Sequence, residues 1–228
     1  MIEPAQFTRE RILDDAFITQ VFAQLPADAR LRTPEELEAS IEGILSPHDP
    51  DADVHVFGYG SLMWNPGFTT PETQGARLHG WHRAFCIYSE HYRGTPRQPG
   101  LILGLLPGGS CRGLAHRLPA KQYDAVRRYL IHREIDNDGV YEETIRPIHL
   151  DDGRTVPALV YLADRAHRQF AGKLPMAKAV TLVRRGNGAT GSNLDYVQNT
   201  VAHLTEMGLR DRQLEELARL SMREARRR

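Results

Sequence analysis

The sequence predicts an α+β fold: a small, mainly antiparallel β-barrel flanked by N- and C-terminal helices. Three observations carry that expectation. Six short β-type runs crowd between Val54 and Leu162, the connectors between several of them have turn composition, and apolar spacing of helical period returns on both sides of this region.

Taken in order, apolar residues at positions 12, 13, 16, 17, 21 and 25 keep to one helix face from Ile12 to Leu25, with Thr8 available as a cap. Thr33-Pro34-Glu35-Glu36 then combines an N-cap, a proline at the first helical position and a capping-box glutamate, ahead of Leu37, Ile41, Ile44 and Leu45 on one face. Ser46-Pro47-His48-Asp49-Pro50 ends this helix, because each proline denies the preceding residue the helical region and offers no amide donor. A boundary near residue 51 therefore divides an N-terminal helical segment, 1–50, from a barrel domain with C-terminal helices, 51–228.

The expected strands run from Val54 to Tyr59, Arg83 to Ser89, Leu101 to Leu105, Gly113 to Leu118, Tyr141 to Leu150 and Thr155 to Leu162. Pro107-Gly108-Gly109-Ser110 and Asp151-Asp152-Gly153 stand where hairpins would reverse the chain, which favours antiparallel pairing over βαβ crossovers. One helix is expected from about Pro119 to Glu134. Three more are expected from Pro175 to Arg185, Asn193 to Met207 and Asp211 to Glu224.

Composition narrows the function. Lys plus Arg and Asp plus Glu both number 29, so no global field draws in nucleic acid or anionic lipid, and a small-molecule partner is expected instead. Two cysteines, Cys86 and Cys111, cannot build a disulfide framework, and Met1-Ile2-Glu3-Pro4 shows neither the basic nor the apolar region of a leader. The longest apolar stretch, Leu101 to Leu106, falls far short of the roughly 20 residues that span a bilayer. A cytoplasmic location is expected.

Val56-Phe57-Gly58-Tyr59-Gly60-Ser61-Leu62-Met63-Trp64-Asn65-Pro66 begins as a strand and ends as a loop. Gly58 and Gly60 allow positive φ and close approach of the backbone to a ligand, so that amides can face a carboxylate or a forming oxyanion. Ser61 adds a hydroxyl. The same residue types also fit a bulged strand followed by an ordinary Asn-Pro-Gly turn.

Phe57 to Pro66 resembles the signature loop of the ChaC family of glutathione-specific γ-glutamylcyclotransferases, and Gly80-Trp81-His82-Arg83-Ala84-Phe85-Cys86 resembles that family's next block. Further similarity lies in Arg93-Gly94-Thr95 with Pro99-Gly100, in Tyr129 to Glu134, in Asp151 to Val156 and in Gly191-Ser192-Asn193. The resemblance implies a small mixed barrel and an enzyme that cleaves glutathione to 5-oxoproline and Cys-Gly without a cofactor. It also implies that Phe57, Gly58, Tyr59, Gly60, Ser61 and Leu62 line the pocket for the γ-glutamyl head, with Tyr141 near the substrate. Arg83 is a further candidate for a substrate carboxylate, although an arginine beside Trp81 and Phe85 serves equally well as a structural cation.

Cyclising a γ-glutamyl amide requires the substrate's α-amine to lose a proton and the leaving amine to gain one, and a single carboxylate can carry both. Glu134, Asp136, Asp138, Glu142 and Glu143 are the candidates. Val126, Leu130 and Glu134 fall at i, i+4 and i+8, which places Glu134 on the apolar side of its helix, where desolvation raises a carboxyl pKa. The other four lie in or beside a turn and are expected to be solvated. Independently, the resemblance assigns the catalytic base to Glu134 through the pair Arg133-Glu134. The competing reading is a structural ion pair between Glu134 and an arginine. At the level of function, a non-catalytic binder of γ-glutamyl metabolites and a cyclotransferase for other γ-glutamyl amines or dipeptides stand as alternatives.

Other signals are weaker. Gly186-Asn187-Gly188-Ala189-Thr190-Gly191 spells GxGxxG, but Met176 to Arg185 reads as an amphipathic helix ending at a glycine cap, not as the strand a dinucleotide site needs. Ten histidines include no His-Glu-x-x-His pattern, so no metal site is expected. Cys86 reads as a packed small hydrophobe, Ser61 is outside a GxSxG frame, and the terminal Arg223, Arg226, Arg227 and Arg228 suit a helix C-terminus in solvent.

Overall fold

In the computed structural model, residues 52–134 and 140–225 are described. The two N-terminal helices expected before residue 51 lie outside them, as do Asp136 and Asp138. Five strands close the barrel: β1 (Val54–Gly58), β2 (Thr73–Ser89), β3 (Gly100–Leu118), β4 (Tyr141–Leu150) and β5 (Thr155–Ala163), in the spatial order β1-β3-β2-β4-β5. All neighbours run antiparallel except β1 and β5, which meet in parallel at His55–Ala158 and Val56–Leu159 and seal the barrel. A closed sheet leaves no edge to template association.

The strand count differs from the expectation, and glycine is the reason. Pro107 to Ser110 does not reverse the chain; the runs on either side of it are one strand, β3, and β2 begins ten residues before Arg83 at Thr73. The two pair from Thr73–His116 to Ser89–Gly100, with a register break between His79 and Trp81. Gly80, Gly108 and Gly109, all at positive φ, sit at that break. Glycine supplies positive φ to a bulge as readily as to a turn, so a kinked ribbon has the composition of a hairpin. The turn at Asp151-Asp152-Gly153 is where it was expected, between β4 and β5.

A 3-10 turn over Ala120–Gln122 leads into α1 (Tyr123–Glu134), and α2 (Met176–Arg185), α3 (Asn193–Glu206) and α4 (Arg212–Ala225) follow the barrel. On one side of the barrel wall Val126, Tyr129, Leu130 and Ile131 of α1 pack with Val54, Val56, Leu118 and Leu159. On the other, Val180, Val183, Val197, Leu204, Leu214 and Leu217 of α2 to α4 join the apolar interior with Leu101, Leu103 and Leu105.

Two devices fasten the C-terminal helices to the sheet. Asn193, fully buried at the start of α3, accepts from the Leu101 amide and donates to the Leu101 carbonyl, both at 2.7 Å, and so behaves as a one-residue extra strand. The GxGxxG segment forms a miniature hairpin, β6 (Asn187–Gly188) and β7 (Gly191–Ser192), with no βαβ unit around it. Gly186 ends α2 in extended geometry, so the left-handed cap expected there does not form. A Cβ on Gly188 would lie 2.6 Å from the carbonyls of His91, Tyr92 and Gly94, which explains the glycine by close approach.

Replacing Asn193 with Ala orphans both main-chain groups of Leu101 inside the core. Urea denaturation is expected to show a loss of about 2–4 kcal/mol, with the m-value unchanged.

Candidate active site

Beyond β1 the chain folds back at once. The 3-10 turn Ser61–Met63 packs so closely on the strand end that a Cβ on Gly58 would lie 3.2 Å from main-chain atoms of Leu62 and Met63, and one on Gly60 would lie 3.3 Å from Leu103 Cδ1. Neither glycine has positive φ, so close packing and not left-handed geometry explains them here. The turn is braced from behind. Arg83 donates through Nε to the Tyr59 carbonyl and through Nη2 to the Arg112 carbonyl at 2.7 Å. His116 Nε2 lies 3.0 Å from the Leu62 carbonyl and Nδ1 lies 3.0 Å from Thr73 Oγ1. Burial pushes the His116 pKa down; a carbonyl only accepts, so the neutral ring carries its proton on Nε2 and Nδ1 takes the threonine hydroxyl.

The last turn of α1 meets this segment through Arg133. Its Nη1 donates to the Asn65 carbonyl at 2.6 Å and to the Tyr129 hydroxyl at 2.9 Å, its Nη2 to Ser61 Oγ at 2.9 Å, and its Nε lies 3.1 Å from Glu134 Oε1. Both side chains are sheltered, at 3% and 16% exposure. Burial pushes the Glu134 pKa up, and the adjacent Arg133 guanidinium only partly opposes the shift.

Glu134 opens into a cavity of about 280 Å³ whose walls include Ser61, Trp64, Arg93, Tyr141 and Tyr196. Tyrosines surround the carboxylate. The pKa values of Tyr59, Tyr141 and Tyr196 are raised first by burial and also by the charge on Glu134, so all three stay neutral. Tyr141 spends its proton on the Leu103 carbonyl at 2.6 Å and Tyr59 on the Tyr161 carbonyl at 2.8 Å.

Of the residues singled out from sequence, the fold brings Glu134, Ser61 and Tyr141 to one cavity. Gly58, Tyr59, Gly60 and Leu62 shape and brace the turn without lining that cavity, and Phe57 is fully buried in the core. Arg83 faces away from it, its donors committed to main-chain carbonyls and the Met63 sulfur. Glu142 is exposed, whereas the Glu143 side chain, expected in solvent, is completely enclosed on β4. Its carboxylate accepts from Arg127 Nε at 2.6 Å and from the Tyr161 hydroxyl at 2.9 Å, which satisfies it structurally outside the cavity.

The far wall was not evident in the sequence. Residues 90–93 follow β2, with Glu90 held by Arg168 at 2.6 Å and Arg93 donating to the Thr190 carbonyl at 2.6 Å while lying over the Tyr196 ring at 5.2 Å. The β6–β7 hairpin fixes this segment, since Ala189 and Thr190 donate their amides to the His91 and Tyr92 carbonyls. Asp195, Asn199 and His203, at i, i+4 and i+8 on α3, complete the wall, with His203 stacked on Trp64 at 4.7 Å. Such spacing is a readable signal, but a polar helix face normally means solvent. Cys86 lies outside this cavity, and burial pushes its thiol up to about 12, far from nucleophilic use. Among the described residues no group of three or more potential metal ligands occurs, and no helix is long and apolar enough to cross a membrane.

A closed five-stranded mixed barrel flanked by helices has the γ-glutamylcyclotransferase fold. The crystal structure of a γ-glutamyl cyclotransferase specific to glutathione from yeast superposes with a TM-score of 0.69 at 21% identity, over 75% of this chain and 96% of that one. The sequence profile described as ChaC-like protein matches residues 54–224, and the chain belongs to this family. It is 35% identical to the glutathione-specific γ-glutamylcyclotransferase of Escherichia coli (strain K12), over 83% of this chain and 82% of the relative. To the protein of the same description from Schizosaccharomyces pombe it is 30% identical, over 65% and 81%.

The raised Glu134 pKa bears on stability. A carboxyl group with a raised folded-state pKa contributes stability that is full below its unfolded value, near 4.5, and is lost as pH rises through the folded value. Glu134→Gln cannot ionise and escapes that loss. Thermal melts are therefore expected to show the variant more stable than the wild type at pH 7, with the gap closing below the ordinary carboxylate range.

Proposed function

We propose that this chain cleaves glutathione to 5-oxoproline and Cys-Gly, with Glu134 as the general acid and base. The observation that carries the proposal is the position of Glu134: desolvated, beside Arg133, and opening into a cavity shared with Ser61 and Tyr141. The glutathione-specific relatives favour this substrate over other γ-glutamyl compounds.

In the proposed sequence, Glu134 takes a proton from the γ-glutamyl ammonium. The freed amine attacks the γ-carbonyl carbon of its own chain, closing the five-membered lactam. Glu134 delivers its proton to the cysteine nitrogen as the C–N bond breaks, and the second proton shed by the attacking nitrogen as the lactam forms passes to the same departing amine, which leaves as an ammonium. Charge and atoms balance without a further reactant, and folding the substrate back on itself supplies the advantage of an intramolecular reaction. The raised pKa of Glu134 makes its ionised form a stronger base than a solvated carboxylate, and the adjacent Arg133 guanidinium opposes the shift and favours that ionised form. Tyr141 and Tyr196 hold neutral aromatic walls around the bent conformer, and Arg93 supplies a cation for a substrate carboxylate. A cytoplasmic protein with this small molecule as its partner fits the sequence composition.

Incubation with reduced glutathione, followed by mass spectrometry, is expected to yield 5-oxoproline and Cys-Gly in equal amounts. Glu134→Gln is expected to lower kcat by about 10²–10⁴-fold while remaining folded. Because the base must be ionised, kcat/KM is expected to rise with pH through a limb whose midpoint lies above 4.5, the ordinary value for this side chain. Turnover of another γ-glutamyl compound in place of glutathione would refute the substrate and leave the chemistry standing; full turnover by Glu134→Gln would refute the role of Glu134.

A further inference from the structure

A second cavity, of about 550 Å³, lies between the middle of the β2–β3 ribbon and the α3–α4 junction. Five arginines line it: Arg77 and Arg83 from β2, Arg112 from β3, and Arg210 and Arg212 from the junction, against Asp211 as its one acidic residue. We infer that this cavity binds a compact polyanion, a small molecule carrying phosphate groups or several carboxylates.

The charge is a local concentration, because the chain as a whole balances 29 basic against 29 acidic residues. It is also incompletely compensated. Arg112 pairs with Asp151 at 3.1 Å and Arg210 with Glu215 at 2.8 Å, both acids lying outside the cavity lining. Arg77 donates to Ser110 Oγ at 3.0 Å and has no carboxylate partner among the described residues. Asp211 is turned toward α4, where its Oδ1 accepts the amides of Gln213 and Leu214 at 3.2 Å.

Arg83 is the sharper observation. Its side chain is buried, and its donors reach only neutral groups: two carbonyls and the Met63 sulfur. No carboxylate among the described residues stands against it. A guanidinium removed from water without countercharge is costly, and an anion in the cavity supplies the missing charge. Arginine forks match phosphate and carboxylate alike, in two-point geometry, and the volume suits a metabolite-sized ligand.

Arg83 also joins the two cavities. It holds the Tyr59 carbonyl and the Met63 sulfur on the turn that presents Ser61 to the Glu134 cavity. An anion that draws on this guanidinium therefore acts on that turn, and the affinity for substrate and for anion must shift each other by the same factor.

Isothermal titration of the full chain at constant ionic strength, with pyrophosphate in one arm and citrate in the other, tests the site. Saturable binding of at least one probe is expected, and the stronger arm identifies phosphate or carboxylate as the preferred chemistry. The double variant Arg77→Gln, Arg212→Gln is expected to weaken it about tenfold or more while leaving glutathione turnover without added anion unchanged. No saturable heat with either probe, or equal affinity in the double variant, would overturn the site. A KM for glutathione that stays constant at saturating probe would overturn the link through Arg83. Heat is read without turnover, so a failure of the proposed cyclotransferase reaction would leave this result independent.

Discussion

The guanidinium of Arg133 is the constraint on which the site depends. A helix end is ordinarily the least defined part of a helix, and α1 delivers Glu134 at its last residue. Arg133 removes that freedom by donating to the Asn65 carbonyl, Ser61 Oγ and the Tyr129 hydroxyl while pairing with Glu134. The turn after β1 and the end of α1 thereby become one unit. The same group sets the electrostatics, because burial favours the protonated carboxyl and the adjacent positive charge resists it.

Two sheltered carboxylates lie within reach of α1, and their surroundings give them different tasks. Glu143 is sealed: each oxygen has a close donor, from Arg127 and from Tyr161, and it does not line the Glu134 cavity. Such a group ties helix to sheet. Glu134 has a single arginine partner and an open volume in front of it. What separates the two acids here is free space beside an incompletely satisfied oxygen, not burial.

Much of the fold was legible. The helical periods that give α1 to α4, and the strands β1, β4 and β5, stand in the sequence because each is decided by local spacing and by the residues at its ends. The long β2–β3 ribbon was not legible. Gly108 and Gly109 look the same to a local reading whether the chain reverses or only kinks, and pairing with β2 decides between them. Within the site, Glu134 was marked by its place four and eight residues after Leu130 and Val126, and Ser61 by its glycine-rich turn. Arg93, Tyr196 and His203 were missed as members of the site because they come from segments far apart in sequence, and a polar face on α3 resembles any solvated face until a barrel is set against it. The GxGxxG segment carries a further lesson: its glycines serve contact with the carbonyls of 91–94, an approach visible only once both segments are in place.

By itself the chain's sequence determined helices α1 to α4, the strands β1, β4 and β5, the place of Glu134 on the apolar side of its helix, and an even balance of basic and acidic residues. Those properties follow from spacing along one segment. Tertiary structure alone decided that Glu143 is locked and Glu134 accessible, that Arg83 supports a turn from behind, and that residues from β2, α1 and α3 enclose one volume. These are matters of desolvation and donor geometry between segments remote in sequence, and neither exists until the barrel closes.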